Sequence, residues 1–510
     1  MQQRVSLLLA VEVLAVGFWT CLAVYTLATR SPDDLLVPID AAALSSGPAS
    51  EEWMGIYFED QKVGYAVNSR AAIEDGGMLV QHRSAFRLAA FGEIKEVVVA
   101  ASAVLGQDGR VQQFDFFTSS DPVRLAARGE VHEDELVVDI HQAGEVQTVR
   151  LPIDEAPQMS ASLSTWIASQ EEIAEGDVYS LPYFDPVTLA QAQMEIRVLS
   201  TEILPNGEEA YWLERTFSGA TTRSLVMPSG DLLREEGALG IAMVRQTPEE
   251  ARSMPTGGAP VDIIAISAVP LEGKLSRPAK LARLSLRIEG VDVERVMSSP
   301  PIQDVEGDVV STWSPQWSSL PDAPIRETDP SLAEYLSATP FLPIKDLRIV
   351  EQANTVVAGI GKRKLAVKAL VDWVHGYLVK APTVGVPNAL EVLEVGQGDC
   401  NEHTALFVGL ARAAGIPSRI AAGVVYSTRI QPGGSFYYHA WPEVYLGVEG
   451  GWIPVDPTLG QYPADPTHIK LVEGDLARQI EIMGVLGQLG FELVDSEEQA
   501  SLVSGEEEAH

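Results

Sequence analysis

The sequence predicts an α+β chain built from an N-terminal transmembrane helix, antiparallel β domains, and a C-terminal α+β domain. Three observations carry this. Residues Val5–Thr29 form one long apolar run with a single charge, Glu12. From Trp53 to about Gln246, short alternating segments are separated by Asp-Gly, Asn-Gly and Ser-Gly pairs, the signature of antiparallel hairpins. Beyond residue 344 apolar residues recur at three- and four-residue steps, before a glycine-rich approach to Cys400 and two later strand-like motifs.

At 510 residues, the chain is long enough for two to four domains. Its formal charge of −35, from 71 acidic and 36 basic residues, excludes a nucleic-acid partner, because a phosphate backbone would be repelled with no basic patch to offset it. Two cysteines, one of them inside the apolar run, build no disulfide framework.

Taken in order, residues 1–30 read as an anchor. As a helix the run would be roughly 37 Å long, enough to cross a bilayer, and longer than a removable signal's apolar core. Arg4 before it and Asp33 and Asp34 after it lean towards a cytoplasmic N-terminus. The body is then expected outside the cytoplasm, periplasmic or extracellular, on a single-pass membrane protein. Residues 31–50 are a Pro/Ala/Ser-rich linker, and 51–250 an antiparallel β domain with one helical interruption at Met159–Gln170. Its histidines, His82, His132 and His141, are scattered without ligand spacing and read as ordinary strand residues. A Pro/Gly linker precedes a small β module at 261–310, where Ala282, Leu284, Leu286 and Ile288 alternate with polar residues. Residues 311–343 form an aperiodic connection and 344–495 the α+β domain. Residues 496–510, rich in glutamate, are expected to be a disordered tail.

The chemistry centres on Gly396-Gln397-Gly398-Asp399-Cys400-Asn401-Glu402-His403. Asp399 and Glu402 form a capping box, which places Cys400 at the first helical position; Gly415 and Pro417 end that helix. A thiol there faces unpaired amides and the positive end of the helix dipole, both of which favour the thiolate and can receive an oxyanion. The alternative is a small buried cysteine with no chemistry. A nucleophilic cysteine needs an oriented base. Tyr438–Tyr445 alternates as a strand with His439, Trp441 and Glu443 on one face. Trp452–Thr458 follows with Asp456 on the face that would meet His439. His403, three residues after Cys400, is a competing base without a visible orienting partner. Trp441 and Trp452 read as core or cleft wall, and Gln397 as either a turn residue or an oxyanion donor. Metal binding by Cys400, His403 and His439 lacks the ligand count of a structural site, and no cofactor or metal is expected.

The ordered set GQGDCNEHTALFVGLARAAGIPSRIAAGV, YHAWPEVYL and GWIPVDPT resembles the transglutaminase-like superfamily. The resemblance implies a papain-like cysteine fold, with Cys400 as nucleophile, His439 as general base and acid, and Asp456 as the orienter of His439. Gly398-Asp399 before Cys400 and Asn401 after it depart from the animal Gly-Gln-Cys-Trp pattern and resemble microbial members. The expectation is therefore a membrane-anchored peptidase or amidase working through an acyl-thioester on a protein or peptide, cell-wall peptides included, rather than a protein cross-linker. The alternative is a catalytically silent scaffold that binds an envelope partner.

Overall fold

The computed structural model describes residues 50–499, apart from residues 59, 74–75, 91, 122, 143, 171, 238–239, 255–260, 384 and 475. Strands account for 48% and helices for 20%. The expected α+β class is thus overturned: the chain is mostly β. The reason is one of extent, because the helical pattern is confined to a few segments while hairpin follows hairpin for some two hundred residues. No helix among the described residues is long and apolar enough to cross a membrane. The amphipathic helix Arg363–Tyr377, with 15 residues, falls short of the ~20 that a span requires. The residues of the expected N-terminal transmembrane helix, Val5–Thr29, lie outside those described.

Fourteen strands, from β1 (Ser50–Phe58) to β14 (Ile241–Gln246), make one antiparallel sheet. The first eight meander outwards to β8 (Glu145–Pro152). The last six meander back from β9 (Val178–Asp185), so that β14 pairs with β1. Local turns set the registers: Gly109 and Gly207 adopt positive φ of 74° and 86°, which their Asp-Gly and Asn-Gly pairs supply without a Cβ penalty. The helical interruption is a short 3₁₀ turn at Ser160–Ser162 followed by the helix Leu163–Ala168.

The second unit places four helices, Leu347–Val356, Arg363–Tyr377, Ala389–Val395 and Cys400–Ala413, against a four-stranded sheet. That sheet comprises Ser418–Ser427, Ser435–Tyr445, Trp452–Pro454 and Ile469–Glu473. The Cys400 helix is central: every residue from Glu402 to Ala411 is buried. Arg363, 1% exposed, donates to the carbonyls of Pro324 and Tyr445 and to Glu327, tying the connecting segment to this unit.

The strand Leu281–Glu289 does not close a module within 261–310. It pairs with Val309–Trp313 on one side and with Gly490–Glu498 on the other. Residues 496–498, expected in a disordered tail, belong to that strand; residues 500–510 lie outside those described. The physical reason is burial: Leu284, Leu286, Ile288 and Phe491 share a core with Val424, Phe436 and Ile469 of the four-stranded sheet, and only the C-terminal strand completes that face. A further helix, Leu476–Leu486, precedes that strand.

Phe341, from the connecting segment, and Val386, from the helical unit, are buried in the apolar core of the large sheet. Gln142 of that sheet donates to the Val386 carbonyl at 3.0 Å and to Glu391 at 2.7 Å. The segment leading to Cys400 is thus gripped by the large sheet.

Candidate active site

The Cys400 helix begins where local chemistry dictates. The Asp399 side chain accepts from the Asn401 amide at 2.9 Å, and Glu402 accepts from the Asp399 amide at 2.9 Å, so two otherwise unpaired amides are satisfied reciprocally. Gly398 makes this possible: a Cβ there would lie 2.2 Å from the Glu402 Cβ. Thr404 Oγ1 donates to the Ala440 carbonyl at 3.0 Å, and the Ala440 amide acts on the Cys400 thiol in the direction that favours its ionised form. Tyr438 Oη lies 2.9 Å from both Asn401 Oδ1 and Gln479 Oε1. Contacts on both sides of His439 therefore clamp its strand against the helix N-terminus, bringing Cys400 and His439 to one seam.

Asp456 joins them. Trp452–Pro454 pairs antiparallel with Glu443–Tyr445, and the Val455 amide donates to the Pro442 carbonyl, which carries Asp456 beside the histidine. His439 Nε2 lies 2.9 Å from Asp456 Oδ2, and Asp456 is fully buried. Its Oδ1 accepts from the Leu459 amide at 2.9 Å. Burial pushes this carboxyl up, but His439 and His468 together outweigh it and hold it well below the usual carboxylate range.

The electrostatics at Cys400 reverse the expectation that its position favours the thiolate. Cys400 is half-buried. Desolvation and the Asp399 carboxylate push the thiol well above its ordinary value, with Glu402 and Asp456 adding to this; the Ala440 amide opposes them. The capping box that starts the helix also brings negative charge to the Cys400 thiol. Part of that charge is muted, because burial and the Glu402 charge raise Asp399 well above its usual range.

His403 is fully buried, and its Nδ1 lies 2.6 Å from the Asp399 carbonyl. A carbonyl only accepts, so that nitrogen carries a proton, and burial further lowers the basicity of the ring. Trp441, 1% exposed, stacks on His439 with centroids 6.1 Å apart, forming a wall beside its ring. Trp452 instead packs against Tyr335 and Arg419. Gln397 sits on a two-residue strand paired with Val379–Lys380. The scattered histidines of the large sheet, His82, His132 and His141, take no part in this site; His82 bonds Asn68 and Ser84.

The histidine that sequence reasoning missed is His468. Its Nε2 lies 3.0 Å from the same Asp456 Oδ2, and its Nδ1 3.0 Å from the Asp465 carbonyl. Burial lowers its proton affinity, but the bonds to Asp456 and Asp465 outweigh that and raise it to about 10. The Asp465–His468 turn is legible in sequence; its meeting with Asp456 is not. His439, Asp456 and His468 are residue types that suit a divalent ion, and their ligand atoms lie within 4.8 Å of one another. Both nitrogens already stand at hydrogen-bond distance from the carboxylate, so the pattern places a proton between each pair.

Residues 351–457 match the model of the transglutaminase-like superfamily. A protein-glutamine gamma-glutamyltransferase of Pseudomonas aeruginosa is 33% identical over 101 residues, 18% of this chain and 14% of that protein. An uncharacterized protein of Mycobacterium leprae is 31% identical over 137 residues, 24% of this chain and 45% of that protein. The chain thus spans less than half the length of either relative. A putative cysteine protease from Cytophaga hutchinsonii covers 42% of this chain and 87% of its own, at 16% identity and a TM-score of 0.29. A β-barrel-like protein from Brucella abortus covers 39% of this chain and 98% of its own, at 10% identity and a TM-score of 0.31. The chain carries a transglutaminase-like domain over residues 351–457, and Cys400, His439 and Asp456 all fall within it.

Proposed function

We propose that this chain is a cysteine peptidase or amidase acting on amide or peptide bonds through an acyl-thioester. The observation that carries the reading is the buried 2.9 Å bond between His439 Nε2 and Asp456, at a strand clamped to the Cys400 helix. That bond commits Nε2 to the carboxylate and leaves Nδ1 to take the thiol proton. The sulfur then attacks the substrate carbonyl. The oxyanion is received by the Cys400 amide, which the capping box does not use, and by the Gln397 side chain. Collapse expels the amine, which takes the proton from His439, and a thioester on Cys400 remains. Water, activated by the same imidazole, releases the acid; an amine in its place gives transfer. No resident cofactor enters this scheme, and the partner is a protein or peptide substrate.

Incubation of the full chain with a mixed library of glutamine-containing peptides tests this by mass spectrometry. New carboxyl termini or deamidated side chains, lost in Cys400→Ala, are expected. An added primary amine appearing in the product would reveal transfer. A product profile identical for the chain and Cys400→Ala would sink the proposal. The raised proton affinity of the Cys400 thiol favours the second reading, a silent scaffold, and that same outcome would support it.

A further inference from the structure

Nucleophile and base leave one buried group beside them without a task. His468 lies outside the matched residues 351–457, and its side chain is 2% exposed. Its Nε2 faces Asp456 Oδ2 at 3.0 Å, the oxygen that His439 Nε2 meets at 2.9 Å. Its Nδ1 faces the Asp465 carbonyl at 3.0 Å and lies 3.5 Å from Asp465 Oδ1. A neutral imidazole has one N–H, yet both nitrogens here face oxygens that can only accept. The imidazolium alone satisfies both. Trp441 fixes the arrangement, edge-on to His468 at 5.1 Å and stacked on His439 at 6.1 Å.

We propose that His468 is a positioning residue for proton transfer: an imidazolium that holds Asp456 by the oxygen shared with His439 and balances its charge. This deepens the function proposed above and rests on it. The charged and titratable groups facing His468 are Asp456, Asp465 and, across the carboxylate, His439. From the Cys400 helix and the Val379–Lys380 strand, Cys400, His403 and Lys380 act on Asp456. An Asp456 carboxylate with one imidazole partner would pull a second proton onto that ring. With His468 charged as well, the carboxylate is already balanced. It then orients His439 through Nε2 while leaving the proton taken from the thiol free to move on to the leaving amine. The two rings lie 5.6 Å apart by centroid, close enough for one charge to act on the other.

Two measurements on the full chain test this. With ¹⁵N-histidine labelling, His468 should show both ring nitrogens protonated at pH 8, assigned by loss of the signals in His468→Gln; one unprotonated nitrogen overturns the proposal. Alkylation of Cys400 by iodoacetate should rise with pH as the thiol ionises. In His468→Gln that rise should move to higher pH, because the Asp456 charge, no longer balanced by an imidazolium, then weighs more heavily on the thiol. His468→Asn serves as the second variant, and an unfolding midpoint near that of the unsubstituted chain qualifies either. A reduced rate with an unmoved pH profile in a folded variant would mean that His468 only fills space, and overturns the proposal. A profile and rate in the unsubstituted chain that His439→Ala leaves unchanged would strike the nucleophile–base reading, and this proposal with it. Should both variants unfold, the ring-nitrogen measurement decides.

Discussion

Asp456→Asn keeps the shape of the side chain and removes its charge, and the structure fixes how its cost should vary with pH. Three donors converge on this buried group: His439 Nε2, His468 Nε2 and the Leu459 amide. The His468 proton affinity, raised to about 10, exceeds the ~6.5 of a free imidazole. A raised group contributes stability that is fully present below its unfolded value and is lost as pH rises through the folded value. The cost of Asp456→Asn should therefore be greatest at pH 5–6. Breaking one side of a buried pair costs about 3–5 kcal/mol, and Asp465 retains part of the His468 charge, so about 3 kcal/mol is expected there. The difference should shrink between pH 7 and 10 as His468 sheds its proton. Urea unfolding of both chains at matched pH values measures it, followed by the fluorescence of Trp441, which contacts both histidines. The difference between chains cancels other groups that ionise near pH 10. A penalty constant within about 0.5 kcal/mol from pH 5 to 10 would refute the charged assignment of His468.

Three further outcomes follow from the same geometry. Gly398→Ala drives a Cβ against Glu402, so the capping box should open; differential scanning calorimetry should register about 1–2 kcal/mol lost, with slower Cys400 alkylation. Gln397→Ala should lower kcat by about 10²-fold with little change in KM if its side chain receives the oxyanion; steady-state kinetics on a cleaved peptide measure the split. Phe407→Ala empties a fully buried site in the helical core and should cost about 3–5 kcal/mol in chemical unfolding, while the large sheet keeps its far-ultraviolet signal.

Legibility divides by sequence distance. The Cys400 helix and its cap can be read from Asp399, Glu402, Gly415 and Pro417, because capping is chemistry among neighbours. The hairpins of the large sheet are equally local, each set by a turn pair. His439 and Asp456 are 17 residues apart, and their alternation on successive strands suffices to suggest a meeting. The β1–β14 pairing, by contrast, joins Trp53 to Gln246, and Leu286 pairs with Leu493; such pairings are chosen by which apolar faces remain unburied when the chain has collapsed. The overall class was misjudged for the same reason, since the motifs that draw the eye are helical and the bulk of the chain is not.

The sequence by itself determined the candidate site residues, their order, and the helix that presents the cysteine, because capping, alternation and turn residues act over a few positions. Only the tertiary structure decided their electrical state. Burial and the Asp399 carboxylate work against the Cys400 thiolate, and His468 arrives at Asp456 from beyond the matched domain. Desolvation and charge pairing depend on what surrounds a group in space, and neighbours in the chain do not reveal it.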